Sequence, residues 1–325
     1  MREPADAPPP ADASTAPDAK SDRASEPGPA PRPAPPLDQG PPVDEVSTFP
    51  ASTIVAGRLS RSDPRWPAPP TVTARRQQGN LHSYLSRFGE EACRHAGLRH
   101  VVVPARIHDV TYGRSPQGDL DYCDMIASLH PLREGERVLD FGCSSGRVIR
   151  NLKATHPGIE AEGCDPREAS IAFIREHVPE VRWFVSRETP PLPGVEDDRY
   201  DLVFAISVWS HFSERAALAW FSEMARVMRP GGDLIFSTHG ERSVFHNETV
   251  LGSMNATAAQ ERRDALARGE LHFRRASGSD LNDDWGITYM PRAWIERHLS
   301  DDWMSRDFRR GMAKRNQDVH VLRRR

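Results

Sequence analysis

From residue 137 onward, short apolar runs alternate with stretches whose apolar residues recur every three or four positions. RVLDF (137–141) has the length of a strand, and GRVIRNLKATH (146–156) puts Val148, Ile149 and Leu152 on one helical face. EAEGCD (160–165) and VRWFV (181–185) read as a second and a third strand around a helical EASIAFIREH (168–177). YDLVFAI (200–206) is a fourth strand, and SERAALAWFSEMARVM (213–228) is a long amphipathic helix. Pro230-Gly231-Gly232 is expected to stop that helix before a fifth strand, DLIFSTH (233–239). WMSRDF (303–308) and DVHVLR (318–323) look like two closing strands. This alternation predicts an α/β fold: a doubly wound, mostly parallel sheet of seven strands with helices on both faces.

The pattern differs upstream. HSYLSRFGEEACRHAG (82–97) has helical spacing at Tyr84, Leu85, Phe88 and Ala92. VVVPARIHDVTYG (101–113) reads as extended, and CDMIASLHPL (123–132) as a short helix. Residues 76–131 are therefore expected to be a small, mostly helical N-terminal cap. Residues 1–75 have neither rhythm. Of 29 prolines, 18 lie before residue 71 among Ala, Asp, Ser and Gly. Such a segment buries too little apolar surface to offset its ordering entropy, so a disordered N-terminal tail is expected. That leaves 132–325 as the main domain, with a less regular insertion at 241–300.

Composition narrows the function classes. A net charge of −3 leaves no general basic excess for nucleic acid. Residues 305–325 are locally basic, eight Lys/Arg against two Asp, which reads as a solvated end to the last strand. The four cysteines, Cys93, Cys123, Cys143 and Cys164, form no CxxC pair, and the thirteen histidines no tight ligand spacing. Neither zinc nor disulfides are implied, and a cytoplasmic setting is expected. No stretch reaches the roughly 20 apolar residues of a membrane span.

The candidate chemistry lies where the first strand ends. In a doubly wound sheet, ligands sit beyond the carboxyl ends of the strands where the chain order reverses. VLDFGCSSGR has an acid, Asp140, then glycines at 142 and 146 with Ser144 where a third glycine would be expected. A dinucleotide binder needs GxGxxG for the pyrophosphate, and Gly142-Cys-Ser-Ser-Gly146 does not supply it. Asp140 would repel a pyrophosphate but attract an ammonium. The second strand ends in Asp165, 19 residues after Gly146, where a carboxylate can accept from both ribose hydroxyls. An adenosine-bearing, amine-bearing ligand is implied. Ser144 or Ser145 is also expected to cap the helix that starts near Gly146.

At these residues the sequence resembles the class I S-adenosylmethionine-dependent methyltransferases, whose fold is Rossmann-like. Asp140-Phe141-Gly142-Cys143-Ser144-Ser-Gly146 matches their first motif and Asp165 their second-strand acid. YDLVFAISVWSHF (200–212) and RVMRPGGDLIFSTHG (226–240) match the fourth strand and the helix-PGG-strand that follows. The likeness is specific over about 135–240. DFGCxxGR, S-V-x-x-H and Gln317-Asp318 resemble a bacterial branch associated with glycan or secondary-metabolite pathways. It implies S-adenosyl-L-methionine as cofactor. Asp140, Phe141, Gly142, Cys143, Ser144 and Gly146 would hold its methionine end, and Asp165 its ribose. Pro166 would lie by the adenine, and Ala205, Ile206 and Ser207 would line the sulfonium. Glu188 is the acid nearest in register to the adenine amine.

The expected activity is methyl transfer to a small-molecule or glycan acceptor, foremost a hydroxyl. His211 and His239 are the candidate catalytic bases, and Asp283, Asp284 and Tyr289 candidate acceptor contacts. The rivals are N- or C-methylation and a catalytically silent donor-binding protein. The Asn/Asp-Pro-Pro-Tyr/Phe run of methyltransferases acting on adenine or glutamine is missing, since 205–208 is Ala-Ile-Ser-Val. A nucleic-acid acceptor is therefore not expected.

Overall fold

The computed structural model describes residues 116–275 and 282–325, with side chains from residue 121. The expected tail, the 82–97 helix and the 101–113 extended segment lie outside the described residues. The chain enters through α1 (Pro116–Leu129), which begins seven residues earlier than the spacing predicted. Each apolar run then forms a strand: β1 (Arg137–Phe141), β2 (Glu160–Asp165), β3 (Arg182–Val185) and β4 (Tyr200–Ala205). Helices α2 (Arg147–Thr155), α3 (Glu168–His177) and α4 (Glu214–Val227) alternate with them before β5 (Met228–Thr238). The last two strands are β8 (Trp303–Ala313) and β9 (Gln317–Arg324).

These seven strands form one sheet in the order β3-β2-β1-β4-β5-β9-β8. The first five are parallel, and β9 runs antiparallel to both β5 and β8. The order reverses between β1 and β4, which opens the switch point on the loop after β1. Alternate residues of each strand feed opposite cores, as the pleat requires. Leu139, Phe141, Val203, Ala205, Leu234 and Phe236 pack against Trp220 and Phe221 of α4. Val138, Leu202, Phe204 and Ile235 face the other way, onto Met125, Ile149, Leu152 and Ile171.

Two elements differ from the expectation. Helix α4 stops at Val227 without help from Pro230-Gly231-Gly232, which lies inside β5. The register between β4 and β5 shifts there, between Tyr200 and Leu202. Gly231 takes φ +81°, and a Cβ on Gly232 would stand 3.0 Å from the Asp201 carbonyl oxygen, so the glycines let a bulged strand close on its neighbour. The second difference is the insertion at 241–300, which is more regular than its sequence suggested. It holds α5 (Glu241–Phe245), a π turn (His246–Val250), α6 (Ala256–Ala267), a two-stranded sheet and α7 (Arg292–His298). The small sheet pairs β6 (His272–Arg275) with β7 (Gly286–Tyr289), and it lies over its own apolar cluster of Val244, Ala259, Leu266 and Tyr289. No helix among the described residues is long and apolar enough to cross a membrane.

Candidate functional site

The loop after β1 is built from backbone. Gly142 and Cys143 both donate to the Cys164 carbonyl at the end of β2, each at 2.9 Å, and Gly146 donates to the Cys143 carbonyl at 2.8 Å. The turn needs left-handed backbone at Gly142 (φ +76°), Ser144 (φ +50°) and Gly146 (φ +65°). Two of these must be glycine for packing as well. A Cβ on Gly142 would come within 2.6 Å of Val208, and one on Gly146 would overlap the Trp183 ring. Position 144 lacks such a neighbour, so serine occupies it at the cost of its strained φ, about 1–3 kcal/mol.

The residue at the cap position of α2 is Gly146 rather than either serine, and it makes no side-chain cap bond. The carboxylate of Asp140 does that work from the strand, accepting the Ile149 backbone N–H at the third helical position. Asp140 is buried, and burial pushes its carboxyl up to about 8. The amide of Ile149 and the charge of Arg147 offset part of that, and the charge of Asp165 adds to it.

Asp165, at the tip of β2, is held by the loop it faces. The Ser144 N–H donates to Oδ2 and the Arg167 N–H to Oδ1, both at 2.9 Å. Each oxygen keeps a lone pair, enough to accept from a pair of vicinal hydroxyls. Burial raises this carboxyl too, against the two amides and Arg167. Neither Asp140 nor Asp165 has an ion-pair partner among the described residues. Two buried acids, one raised further by the charge of the other, make a site that a cation completes. S-adenosylmethionine carries a sulfonium and an ammonium, so the residues present fit it.

Among the other sequence-predicted residues, Pro166 is half-buried beside Asp165, whereas the Phe141 ring points away, 4.6 Å from that of Trp220. Ala205 is fully buried at the end of β4, and Ile206 joins the α2/α3 core. Glu188 accepts the Asn282 N–H at 3.2 Å. Asp284 accepts from the Ser213 hydroxyl at 2.6 Å and pairs with Arg215, so it buttresses the start of α4. Asp283 forms an exposed pair with Arg275.

Beyond β4 and β5 lies a second group. Ser207 is strained, at φ +61°, and its N–H donates to the Ser237 hydroxyl at 2.8 Å. Both hydroxyls donate to the Gln317 Oε1, at 2.9 and 2.7 Å. The amide nitrogen of Gln317 then meets Nε2 of His239 at 3.1 Å, and His239 Nδ1 meets the Thr288 carbonyl at 3.1 Å. Because Gln317 donates, His239 Nε2 must accept and Nδ1 must carry the proton. Burial, with the His211 charge adding, lowers His239 to about 3 against the Thr288 carbonyl, so it stays neutral.

His211 differs. Its Nδ1 donates to the Gly286 carbonyl at 2.7 Å, its ring stacks on Trp285 at 4.7 Å, and it lies 6.3 Å from the His239 ring. Among the described residues nothing hydrogen-bonds its Nε2. Burial lowers its pKa, with the Gly286 carbonyl opposing. Strand β7 makes this geometry, since Gly286 and Thr288 donate to the carbonyls of His211 and Ser210, each at 2.8 Å. Ser237, Gln317, Trp285 and Thr288 were not among the predicted site residues. Only Gln317, through its place in a terminal Gln-Asp pair, left a trace in the sequence.

Comparison with known proteins agrees with this geometry. Residues 138–232 match the family model described as a methyltransferase domain. The ubiquinone biosynthesis O-methyltransferase of Alkalilimnicola ehrlichii is 25% identical over 54% of this chain and 76% of its own length. The malonyl-[acyl-carrier protein] O-methyltransferase of Methylococcus capsulatus is 35% identical over 33% of this chain and 39% of its own. The trans-aconitate 2-methyltransferase of Variovorax paradoxus is 29% identical over 40% and 47%. A β1 loop with its acid, a second-strand acid facing it and a matching domain model lead to one conclusion: the chain carries an S-adenosylmethionine-dependent methyltransferase domain.

Proposed function

We propose that the chain methylates an oxygen of a small-molecule or glycan acceptor, a hydroxyl, with His211 as the general base. The observation that carries this is the fixed tautomer of His211: Nδ1 bound to the Gly286 carbonyl leaves the Nε2 lone pair to take a proton. A lowered pKa keeps that nitrogen unprotonated at neutral pH. The three relatives, each named as a methyltransferase and two as O-methyltransferases, support the same reading.

The donor supplies a methyl carbon activated by its sulfonium. Asp140 would hold the ammonium of its methionine end, within a turn shaped by Gly142, Cys143, Ser144 and Gly146. Asp165 would accept from the ribose hydroxyls, Pro166 would lie by the adenine, and Ala205, Ile206 and Ser207 would line the sulfonium. Phe141 contributes only by anchoring β1. His239 does not act as a second base in this scheme, because Gln317 occupies its Nε2. It is a positioning residue that ties the Ser207 turn to β7. Alignment and exclusion of water supply most of the acceleration, up to roughly 7–11 kcal/mol for well-oriented reactants.

The test is a mass-spectrometric screen of cell extracts with isotope-labelled donor for a product one CH2 heavier. His211→Ala should lower turnover of that product by about 10²–10⁴-fold while donor affinity stays unchanged. Near-normal turnover in the variant removes His211 from the mechanism.

A further inference from the structure

Among the described residues, the insertion at 241–300 contains a buried arginine whose one ion pair is long and largely exposed on the acid's side. Arg262, on α6, is only 5% exposed. One arm of its guanidinium donates to the Ala258 carbonyl one turn back, and its plane lies 5.7 Å from the Tyr289 ring. Its Nε is buried and has no hydrogen-bond partner. Among the described residues, the carboxylate that pairs with it, on Glu261, is 3.7 Å from the arm already used and is itself 62% exposed. Arg199, Arg306 and Arg323 each rest on a buried carboxylate, whereas the buried Arg150 resembles Arg262, with its Nε and one Nη unpartnered.

Three further polar groups surround this one. Tyr289 is fully buried, and its hydroxyl accepts from the Asn247 amide at 2.9 Å. His272 lies opposite Tyr289 in the β6–β7 ladder, and its Nδ1 is also buried and unpartnered. Burial and the Arg262 charge hold the His272 ring below its ordinary pKa. A guanidinium out of water with an unused N–H costs several kcal/mol unless an anion meets it. An Arg Nε–H beside a phenol and an amide is a setting that accepts a carboxylate.

The cluster adjoins the proposed acceptor side. Tyr289 bridges to His239 in the backbone, and their rings lie 5.2 Å apart. His239 in turn faces His211. We infer that Arg262, with Tyr289, Asn247 and His272, forms an oxyanion subsite that receives a carboxylate of the methyl acceptor. The assignment rests on the methyl-transfer reading for its acceptor, but the anion site can be tested without turnover.

The probes are malonate and inorganic phosphate, titrated by calorimetry into the full chain saturated with S-adenosylhomocysteine. Malonate should bind, and Arg262→Gln should weaken it at least tenfold while S-adenosylhomocysteine affinity stays within twofold. Arg262→Lys, which keeps the charge and loses the Nε donor, should fall between. If Arg262→Gln does not fold, Asn247→Asp places a competing acid beside the Tyr289 hydroxyl and should produce the same loss. Phosphate binding in place of malonate would keep the subsite and change its anion to a phosphoryl group. Equal binding of both anions by wild type and variants, or binding of neither at millimolar concentration, overturns the proposal. Methylation of the extract product with unchanged acceptor KM in Arg262→Gln removes the subsite and leaves methyl transfer standing. Malonate held through Arg262 in a chain that methylates nothing does the reverse.

Discussion

The two ends of the central sheet handle buried charge in opposite ways. Near the N-terminal ends of the strands the buried acids Asp233 and Glu162 are met by basic side chains. Asp233 is fully buried and takes His130 at 2.8 Å, Arg323 at 2.9 and 3.0 Å, and Arg306. Burial alone would raise its carboxyl, but the bonds from His130 and Arg323 and the Arg306 charge outweigh that and lower it. Glu162 similarly holds Arg182 and the Tyr200 hydroxyl, both at 2.7 Å, and Arg199. At the C-terminal ends Asp140 and Asp165 are as buried, yet only backbone amides and distant charge oppose the burial. The contrast separates a stabilising end from a binding end: carboxyls left without a paired cation in the free protein gain one when the ligand arrives.

The largest effect should come from the stabilising end. Asp233→Ala leaves Arg306, Arg323 and His130 around a missing carboxylate and should cost about 3–5 kcal/mol in urea denaturation. Donor affinity of the folded fraction should not move. A matching loss of donor affinity would mean that the two ends are not independent. Asp165→Ala inverts the expectation. Calorimetry should show donor binding weakened by at least about a hundredfold, or ~2.7 kcal/mol, with a much smaller change in the urea midpoint. Wild-type donor affinity would break the comparison at its centre.

The binding end was the more legible of the two in the sequence, because its parts are local. Asp140, the loop and Asp165 fall within 26 residues, and each follows a strand whose apolar run marks its end. The stabilising end joins residues far apart: Asp233 to His130, Arg306 and Arg323, with no periodicity to announce the pairing. The same applies to Gln317, which reaches Ser207 across 110 positions because β9 folds back beside β5. HFRR and GITY were missed as strands since four residues carry too little alternation to read. At the start of α2 the cap position falls on Gly146, and Asp140 reaches the Ile149 N–H from the strand, a contact between elements that no local pattern marks.

A titration sharpens the contrast further. The Asp140 carboxyl rises from 3.8 to about 8 on folding, so the native state holds its proton more tightly than the unfolded chain. Its contribution to stability is complete below 3.8 and is lost progressively as pH climbs to about 8. Asp140→Asn, which still accepts the Ile149 N–H, should therefore unfold at a higher temperature than wild type near pH 8. Donor binding should show the opposite side of the linkage. The acid must ionise to hold an ammonium, so wild-type affinity should fall about tenfold for each pH unit below ~7. In Asp140→Asn that slope should vanish, and a slope that persists would assign it to another group.

The smallest effect tests the one strained position in the loop that packing leaves free. Ser144 stands at φ +50°, and its backbone N–H, not its hydroxyl, holds Asp165. Glycine reaches that φ without strain but loses more freedom on folding, so Ser144→Gly should gain at most about 1 kcal/mol in denaturation. Donor affinity should stay within a few fold, because the amide remains. Gly142→Ala and Gly146→Ala are the controls: each Cβ meets Val208 or Trp183, so both should destabilise. If Ser144→Gly instead costs tenfold or more in donor affinity at unchanged stability, the Ser144 hydroxyl belongs to the binding end. The strain there would then be retained for a ligand contact, as the burial of the Asp140 and Asp165 carboxyls is.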